Sequence, residues 1–507
     1  MDSQRPPTSL ERDWFYLGLP SQPKLVARSS STLFHFGVDA WSSDRKTLTV
    51  VGEHAIVGKW NNEPSPLRNE ILGILAQQDV DWKAIDILRI GYVDEEKPVI
   101  LSISVSAHTS WETGSRVARD CREALVAHGL DDVHCEIKES ILVNLASVLQ
   151  QDLHSHPPKF HSFMYHLSDQ LGTAIASLDH PRREGTKGIY LRRTGGEPVA
   201  EIFALTCRHV CYSDSETGSR LPGKETLSSK PIIQLPEKTT ELLVGDLNKL
   251  KEEAIEIIEE ESKRKCHQER GSRLEKITIC QQEVRETDRL LQHFTLREAL
   301  DTRVFGHVEY TSDYVVRTSK CLSDWCLIRM KADSHERRLS ELSNHVYIGP
   351  QFLGTLFPCT PWFLTRDLEH DGTLHIQGIV ADSELQNPRK RIVGMRGRTS
   401  DLSFGIVNQV KSVIRRTVKD GRTFFSKECC IVAHRNNHGS FTKPGDSGAC
   451  IFDLEGRAVG MVTGGITRED VLQGEEYYYQ AMDVTYATPM EWILEDMKAC
   501  GLSMEIL

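Results

Sequence analysis

The sequence predicts an α+β domain over residues 33–180, followed over residues 187–500 by an all-β structure, barrel or sandwich, that carries a helical hairpin. Three observations predict it. Strand, helix and strand signals alternate in the first part. Short apolar runs divided by Gly, Pro, Asp and Asn fill the second. A charge-rich stretch of helical period, residues 245–300, interrupts those runs.

Residues 1–32 are punctuated by Pro and Ser with no sustained period and read as a flexible or loosely docked leader. "TLTVVG" then reads as a strand. "SPLRNEILGILAQQ" reads as a helix, with Ser65 at the N-cap and Pro66 in the first turn. "KPVILSISVSA" is a strand, and "TSWETGSRVARDCREALVAHG" an amphipathic helix with Val117, Cys121 and Leu125 on one face and Gly129 as its stop. "VHCEIKES" is the next strand. This domain holds no Gly-rich phosphate loop or metal-ligand cluster, so a scaffold or regulatory, partner-binding module is the expectation.

From about residue 187 the runs "GIYLRR", "IFALTC", "YVVRT", "WCLIRM", "LHIQGIV", "FFSKECCIVA", "ACIFDL" and "AVGMVTGG" follow with turn signals between them. In the interruption, Leu247, Leu250, Ala254, then Leu274, Ile277, Val284, Leu291 and Phe294 keep helical spacing around the polar "KCHQERGS". Two antiparallel helices fit that better than one, and a solvated arm or docking surface is their expected role.

Composition limits the function classes. A length of 507 residues suggests about three units at about 150 residues each. A formal charge of −11 gives no basic excess for nucleic acid. The N-terminus lacks the unbroken apolar core of a secretion signal, and no run approaches the roughly 18 apolar residues of a membrane span. Thirteen cysteines, odd in number and including the adjacent Cys429 and Cys430, do not form a secreted disulfide framework. Neither nucleic acid nor membrane is expected as a partner, and a cytoplasmic or nuclear location is.

Acyl transfer by serine needs a hydroxyl, an imidazole to take its proton and a carboxylate to orient the imidazole. In "TKPGDSGACIF", residues 442–452, Ser447 sits on a tight turn whose glycines let backbone amides, at Gly445 and Ser447, converge as an oxyanion hole. Read alone it is equally a surface β-turn. His209 ends an apolar strand in "IFALTCRHVCYSD". Asp324 in "SKCLSDWCLIRM" precedes a buried-looking strand and is preferred to Asp214, Asp301 and Asp313, which lie in turn-like or charged settings.

The order His, Asp, Ser in "TCRHV", "DWCLI" and "GDSGA" resembles the trypsin-like serine proteases of the chymotrypsin fold. "TCRHV" is closer to their intracellular, HtrA-like branch. "VGMRGRTSDLSFGIVNQV", "AVGMVTGG" and "YATPMEWILEDM" resemble the strand pair before the serine, the substrate-binding strand and the closing helix. The resemblance implies two six-stranded barrels with the cleft between them. His209 would be the general base, Asp324 its orienter and Ser447 the nucleophile of an acyl-enzyme. Phe441, six before the serine, would lie at the base of the specificity pocket; it is not acidic, so a small or apolar substrate side chain is expected. Thr463, Gly464 and Gly465 would line the pocket and pair with a peptide substrate's backbone. Ala449 stands where the family usually has Gly.

His209 and Asp324 are 115 residues apart, long for this fold until the helical insertion is removed. "KRIVGM" mimics a zymogen activation site but lies between Asp324 and Ser447, where a cut would split the domain. Cys429, Cys430, His434 and His438 do not have zinc-finger spacing, and "CRHVC" fits the triad better than a metal. No cofactor or metal is expected. The leading expectation is an intracellular serine endopeptidase. The alternatives are a catalytically silent peptide- or partner-binding module and a protease regulated by a partner in a signalling or cell-death pathway.

Overall fold

In the computed structural model, which describes residues 5–32, 34, 45–93, 95–144, 160–194, 201–263, 270–317, 320–332, 338–348, 373–387, 391–434, 439–468 and 481–507, the N-terminal part follows its local signals. The strands are β1 (Leu25–Arg28), β2 (Lys46–Thr49), β3 (Trp82–Tyr92), β4 (Val99–Val105), β5 (His134–Glu139) and β6 (Ile141–Val143). The helices are α1 (Ser9–Trp14), α2 (Pro66–Gln77) and α3 (Trp111–Ala127). Ser65 Oγ accepts from Arg68 N at 3.1 Å and caps α2; Gly129, at φ +69°, lets the chain leave α3. The crossover through α3 makes β4 and β5 parallel, and the apolar faces of α2 and α3 close over them through Leu67, Ile71, Val117 and Leu125.

The leader is not loose. "DWFYLGLP" supplies Phe15, Tyr16 and Leu19 to a core, Tyr16 Oη donates to Glu136 at 2.8 Å, and β1 pairs with β5. Burying three large apolar side chains favours docking by several kcal/mol at about 25 cal/mol per Å². The strand β3, which the sequence reading passed over, is the centre of the sheet and pairs with β15 of the C-terminal part. The boundary expected at residue 180 also moves, because β7, below, belongs to the next sheet.

That sheet contains β7 (Ala174–Ser177), β8 (Ile189–Arg193), β9 (Ile202–Thr206), β10 (Pro231–Gln234), β11 (Val304–Thr311) and β12 (Cys326–Met330). It is an open antiparallel run in the order β8, β9, β12, β11, β10, β7. Between β10 and β11 stand α5 (Glu237–Lys263) and α6 (Arg270–Thr295), the expected hairpin; its turn, residues 264–269, lies outside the described residues. Leu243, Leu247, Leu290 and Phe294 zip its base together with Phe163.

Next come β13 (Arg391–Gly397), β14 (Asp401–Val407), β15 (Ser412–Thr417), β16 (Thr423–Ala433), β17 (Cys450–Asp453), β18 (Ala458–Thr467) and β19 (Val484–Pro489). Their pairings return on themselves in the order β13, β14, β16, β19, β18, β17, β13. The molecule is therefore mixed α and β, with one ring of six strands closed by its pairings and one open antiparallel sheet among the described residues. A helix, α7 (Met490–Ala499), and a last strand, β20 (Met504–Ile506), tie the ring back to β8. Tyr190, Phe203 and Trp325 of the open sheet share one core with Phe404, Phe452 and Met490, so the two sheets meet along an apolar seam. "KRIVGM" forms β13 inside the ring from Arg391 onward, where a cut would remove a wall strand. No described helix is long and apolar enough to cross a membrane.

Candidate active site

The single-turn helix α4 (Arg208–Cys211) follows β9 and carries His209. Because β9 pairs with β12 with Thr206 opposite Cys326, the residues just outside that ladder are also neighbours: Arg208 N donates to Asp324 O at 3.2 Å. The register of two strands thus sets the first contact. His209 Nδ1 lies 2.7 Å from Asp324 Oδ2, and His209 N donates to Asp324 Oδ1 at 3.2 Å. On the opposite edge of the ring, Nε2 is 2.7 Å from Ser447 Oγ. With Nδ1–H donated to the carboxylate, Nε2 is the acceptor and the Ser447 hydroxyl donates to it. All three side chains are buried, and Ser447 is 0 % exposed.

The serine turn is held from several sides. Gly445 has φ +109°, and a Cβ there would come 2.2 Å from Thr399 Oγ1. Gly448 has φ +92°, and its Cβ would meet Thr206 Oγ1 at 2.2 Å and Thr186 O at 2.4 Å. Glycine is required at both on two counts. Thr186 N donates to Ser447 O at 2.8 Å and Thr186 Oγ1 to Gly445 O at 2.9 Å, which turns those carbonyls away from the serine hydroxyl. The amides of Gly445 and Ser447 donate to nothing among the described residues, as free oxyanion donors must. Asp446 is buried and accepts from Lys443 N at 2.8 Å, Thr399 N at 2.9 Å and Ser400 N at 3.1 Å. Three amides hold it, one from its own loop and two from the turn between β13 and β14. Burial still pushes its carboxyl above the usual range.

Sequence reasoning missed Arg416. It stands on β15 with its side chain 10 % exposed, and its Nη1 donates to the same Asp324 Oδ2 at 3.1 Å. Burial pushes the Asp324 carboxyl up, but His209 and Arg416 outweigh it and hold the carboxyl below its usual range. Nothing in "SVIRRT" distinguishes this arginine from Arg415 except strand alternation, which aims the two to opposite faces. The rejected acids stay away: Asp313 pairs with Arg422 at 3.0 Å, and Asp214 accepts from Tyr314 Oη at 3.1 Å.

Other expected site residues divide. Thr463 Oγ1 donates to Tyr486 O at 3.3 Å, and a small cavity bounded by Thr463, Gly464, Asp324, Arg416 and Glu428 lies behind the acid. Gly464 and Gly465 stand on β18 facing β6. Phe441 departs from expectation: it is 1 % exposed and packs with Ile431 and Ala449 inside the ring, a core side chain instead of the floor of an open pocket. Its ring nearly touches Gly405, where a Cβ would sit 3.0 Å from Cδ2, so strand β14 leaves room for it. Ala449 needs no glycine, since its φ is not positive and its methyl fills the ring core.

Cys207 Sγ, His209 and Asp324 offer ligand atoms within 4.8 Å of one another. Yet Cys207 Sγ donates to Val462 O at 3.1 Å, and burial pushes that thiol well above its usual value, while the imidazole and carboxylate spend their facing atoms on each other. This donor set fits a proton relay and not a metal. Cys429, Cys430 and His434 lie in or at the end of β16; His438, the fourth residue of the other candidate cluster, lies outside the described residues. No protein-family model matches this chain, and no curated protein does.

Proposed function

We propose that the chain is a serine endopeptidase of trypsin-like design, hydrolysing peptide bonds through Ser447, His209 and Asp324. The observation that carries this reading is the unbroken line from Asp324 Oδ2 to His209 Nδ1 and from Nε2 to Ser447 Oγ, each link 2.7 Å. Ser447 Oγ attacks the scissile carbonyl carbon while His209 Nε2 takes the hydroxyl proton. The resulting imidazolium is held by Asp324, and the oxyanion by the amides of Gly445 and Ser447. His209 then protonates the leaving amine, and water resolves the acyl-enzyme with the same base. The closed six-strand ring, the open sheet beside it and the relay in their seam support the two-barrel architecture of that family. The eleven described cysteines are all free, which suits a reducing, intracellular compartment.

A fluorophosphonate probe tests the reading. It is expected to label wild type at Ser447 and neither Ser447→Ala nor His209→Ala. Wild type that stays unlabelled, even after limited proteolysis to open the site, would leave a silent peptide-binding module as the better account.

A further inference from the structure

We infer that strand β6 is a tethered, substrate-like occupant of the β18 edge beside Ser447, and that an external peptide gains this edge only when β6 leaves it; this regulation of the site rests on the endopeptidase reading above. The observation is where β6 pairs. It lies antiparallel on β18, with Ile141 opposite Thr467, Leu142 opposite Ile466 and Val143 opposite Gly465. The other edge of the same stretch is taken by β19, which also pairs with Gly465 and Ile466, so β6 shares the edge that β17 takes at Gly460 and Met461. The nucleophile turn stands between the two: Gly448 N donates to Val462 O at 2.9 Å, and Val462 N to Ala449 O at 3.0 Å. Such an edge is where an extended peptide adds as a further strand, its backbone supplying the hydrogen bonds.

Polarity and packing make β6 resemble a substrate. From Ile141 to Val143 it runs along β18 from Thr467 toward Val462, so its carboxyl-terminal end points at the nucleophile turn, as the chain ahead of a scissile bond must. A Cβ on Gly464 would come 2.8 Å from Val143 O; the edge accepts this backbone only because it carries no side chain there. Successive side chains of a strand point to opposite faces, and both faces of β6 are gripped. Leu142 borders the small cavity with Asp324, Arg416, Thr463 and Gly464, and Val143 packs against the ring core that holds Phe441 and Met482. All of β18 is buried, and β6 is what covers its edge from Gly465 to Thr467.

Two features make β6 a removable occupant. Its three residues are only half-buried and its ladder spans three pairs, whereas β5 before it is buried from Cys135 to Glu139. Opening so short a ladder takes a small share of the global stability. Its root, in contrast, is fixed: Ser140 alone separates it from β5, Ser140 N donates to Val105 O at 3.0 Å and Glu139 N to Lys24 O at 2.9 Å. A tether this short keeps the edge filled by proximity, at an effective concentration of about millimolar. An external peptide therefore binds with its affinity reduced by the fraction of molecules in which β6 is away. The partner that fits the vacated edge is an extended peptide with aliphatic side chains at the two positions Leu142 and Val143 hold.

A fluorescein-labelled peptide of residues 138–144 tests this by anisotropy on the full chain, with fluorophosphonate labelling run on the same samples. Wild type is expected to bind the peptide weakly. Val143→Pro, which puts a residue without an N–H into the ladder, is expected to bind it about tenfold more tightly or better, and Leu142→Ala, which removes side-chain atoms only, about threefold. Adding Gly464→Ala to either variant is expected to remove the gain, because the new Cβ meets the incoming strand's carbonyl. Labelling at Ser447 with no gain in either variant overturns the inference and leaves the endopeptidase reading standing. A gain that survives Gly464→Ala puts the peptide elsewhere and also overturns it. A gain that Gly464→Ala abolishes, with no sample labelled, keeps β6 as the occupant of the edge and overturns the endopeptidase reading. Neither labelling nor gain overturns both. Leu142→Ala leaves the backbone pairing in place, so the test stands even where the proline variant does not fold.

Discussion

Replacing Asp324 by Asn separates the acid's two duties. In the relay, Asp324 Oδ2 accepts the Nδ1–H of His209 at 2.7 Å, fixing the tautomer that leaves Nε2 free to take the serine proton. An amide in its place can turn its NH2 toward Nδ1, which makes Nδ1 the acceptor and puts the hydrogen on Nε2. Turnover is then expected to fall roughly 10⁴-fold, the scale seen for this change in serine triads, or about 5.5 kcal/mol at 1.36 kcal/mol per decade. The same substitution strands Arg416, whose side chain is 10 % exposed and lies 3.1 Å from the lost charge, and breaking a largely buried pair costs up to about 3–5 kcal/mol of stability. Adding Arg416→Gln is therefore expected to recover most of the denaturation midpoint and none of the activity. Asp313→Asn is the control. Its partner Arg422 is 39 % exposed, and such pairs are worth about 0–1 kcal/mol. The assay is the rate of fluorophosphonate inactivation at pH 7.5, with urea denaturation in parallel. Asp324→Asn within tenfold of wild type, or an equal loss for Asp313→Asn, would refute the assignment of the acid.

Three more outcomes follow from the packing. Gly448→Ala is expected to abolish labelling and lower the unfolding free energy by about 2 kcal/mol or more, since the methyl meets backbone Thr186 O at 2.4 Å at φ +92°; labelling assay and urea titration read it. His166 is buried and burial pulls it down to about 3, against about 6.5 unfolded, so below 6.5 only the unfolded chain gains its proton. Stability from this group is present above pH 6.5 and is lost on falling toward 3, about 2 kcal/mol by pH 5, and His166→Phe is expected to flatten that part of a melting-temperature profile. Glu184 accepts from Lys238 N at 2.9 Å and Thr239 N at 3.0 Å at the start of α5 and from Arg398 Nε at 2.6 Å beside the nucleophile turn. Glu184→Gln is expected to cost about 3–5 kcal/mol, while removing the hairpin beyond Leu247 and Leu290 costs the rest of the fold little, both read by calorimetry.

Elements with strong local grammar were legible in the sequence. Ser65 and Pro66 mark the start of α2, Gly129 the end of α3, and the polar interruption around residue 265 divides α5 from α6. That His209, Asp324 and Ser447 come together was legible because each sits beside a strand or turn with its own signal. What escaped notice was written in long-range contacts. In "WKAIDILRIGY", Lys83, Asp86 and Arg89 break the apolar run, so β3 does not look like a central strand. Its buried Asp86 is tolerable only because Tyr486 Oη, at 3.1 Å, and Ser412 Oγ, at 2.5 Å, arrive from strands more than 300 residues away. The leader was misread for a related reason. Its aromatic residues have no period of their own and are held by distant partners, Tyr16 by Glu136 of β5 and Phe15 by Lys46 of β2, while Ser21 Oγ donates to Asp483 at 2.6 Å.

The same long-range contacts explain why the N-terminal part is not a detachable module. β15 pairs on one edge with β3 and on the other with β16 of the ring, and it carries Arg416 to Asp324. β5 continues through Ser140 into β6, which lies on β18. The N-terminal sheet thus reaches both sides of the candidate site, Asp324 through Arg416 on β15 and the β18 edge through β6. A force or partner that shifted this sheet would move Arg416 and β6 together, because the antiparallel ladder of β3 and β15 leaves them no independent slide: a one-residue slip would send Ile414 and Val413 to the wrong faces. Regulation of the proposed protease by the N-terminal part would therefore require no separate docking event, since that part already pairs with the strands around the candidate site.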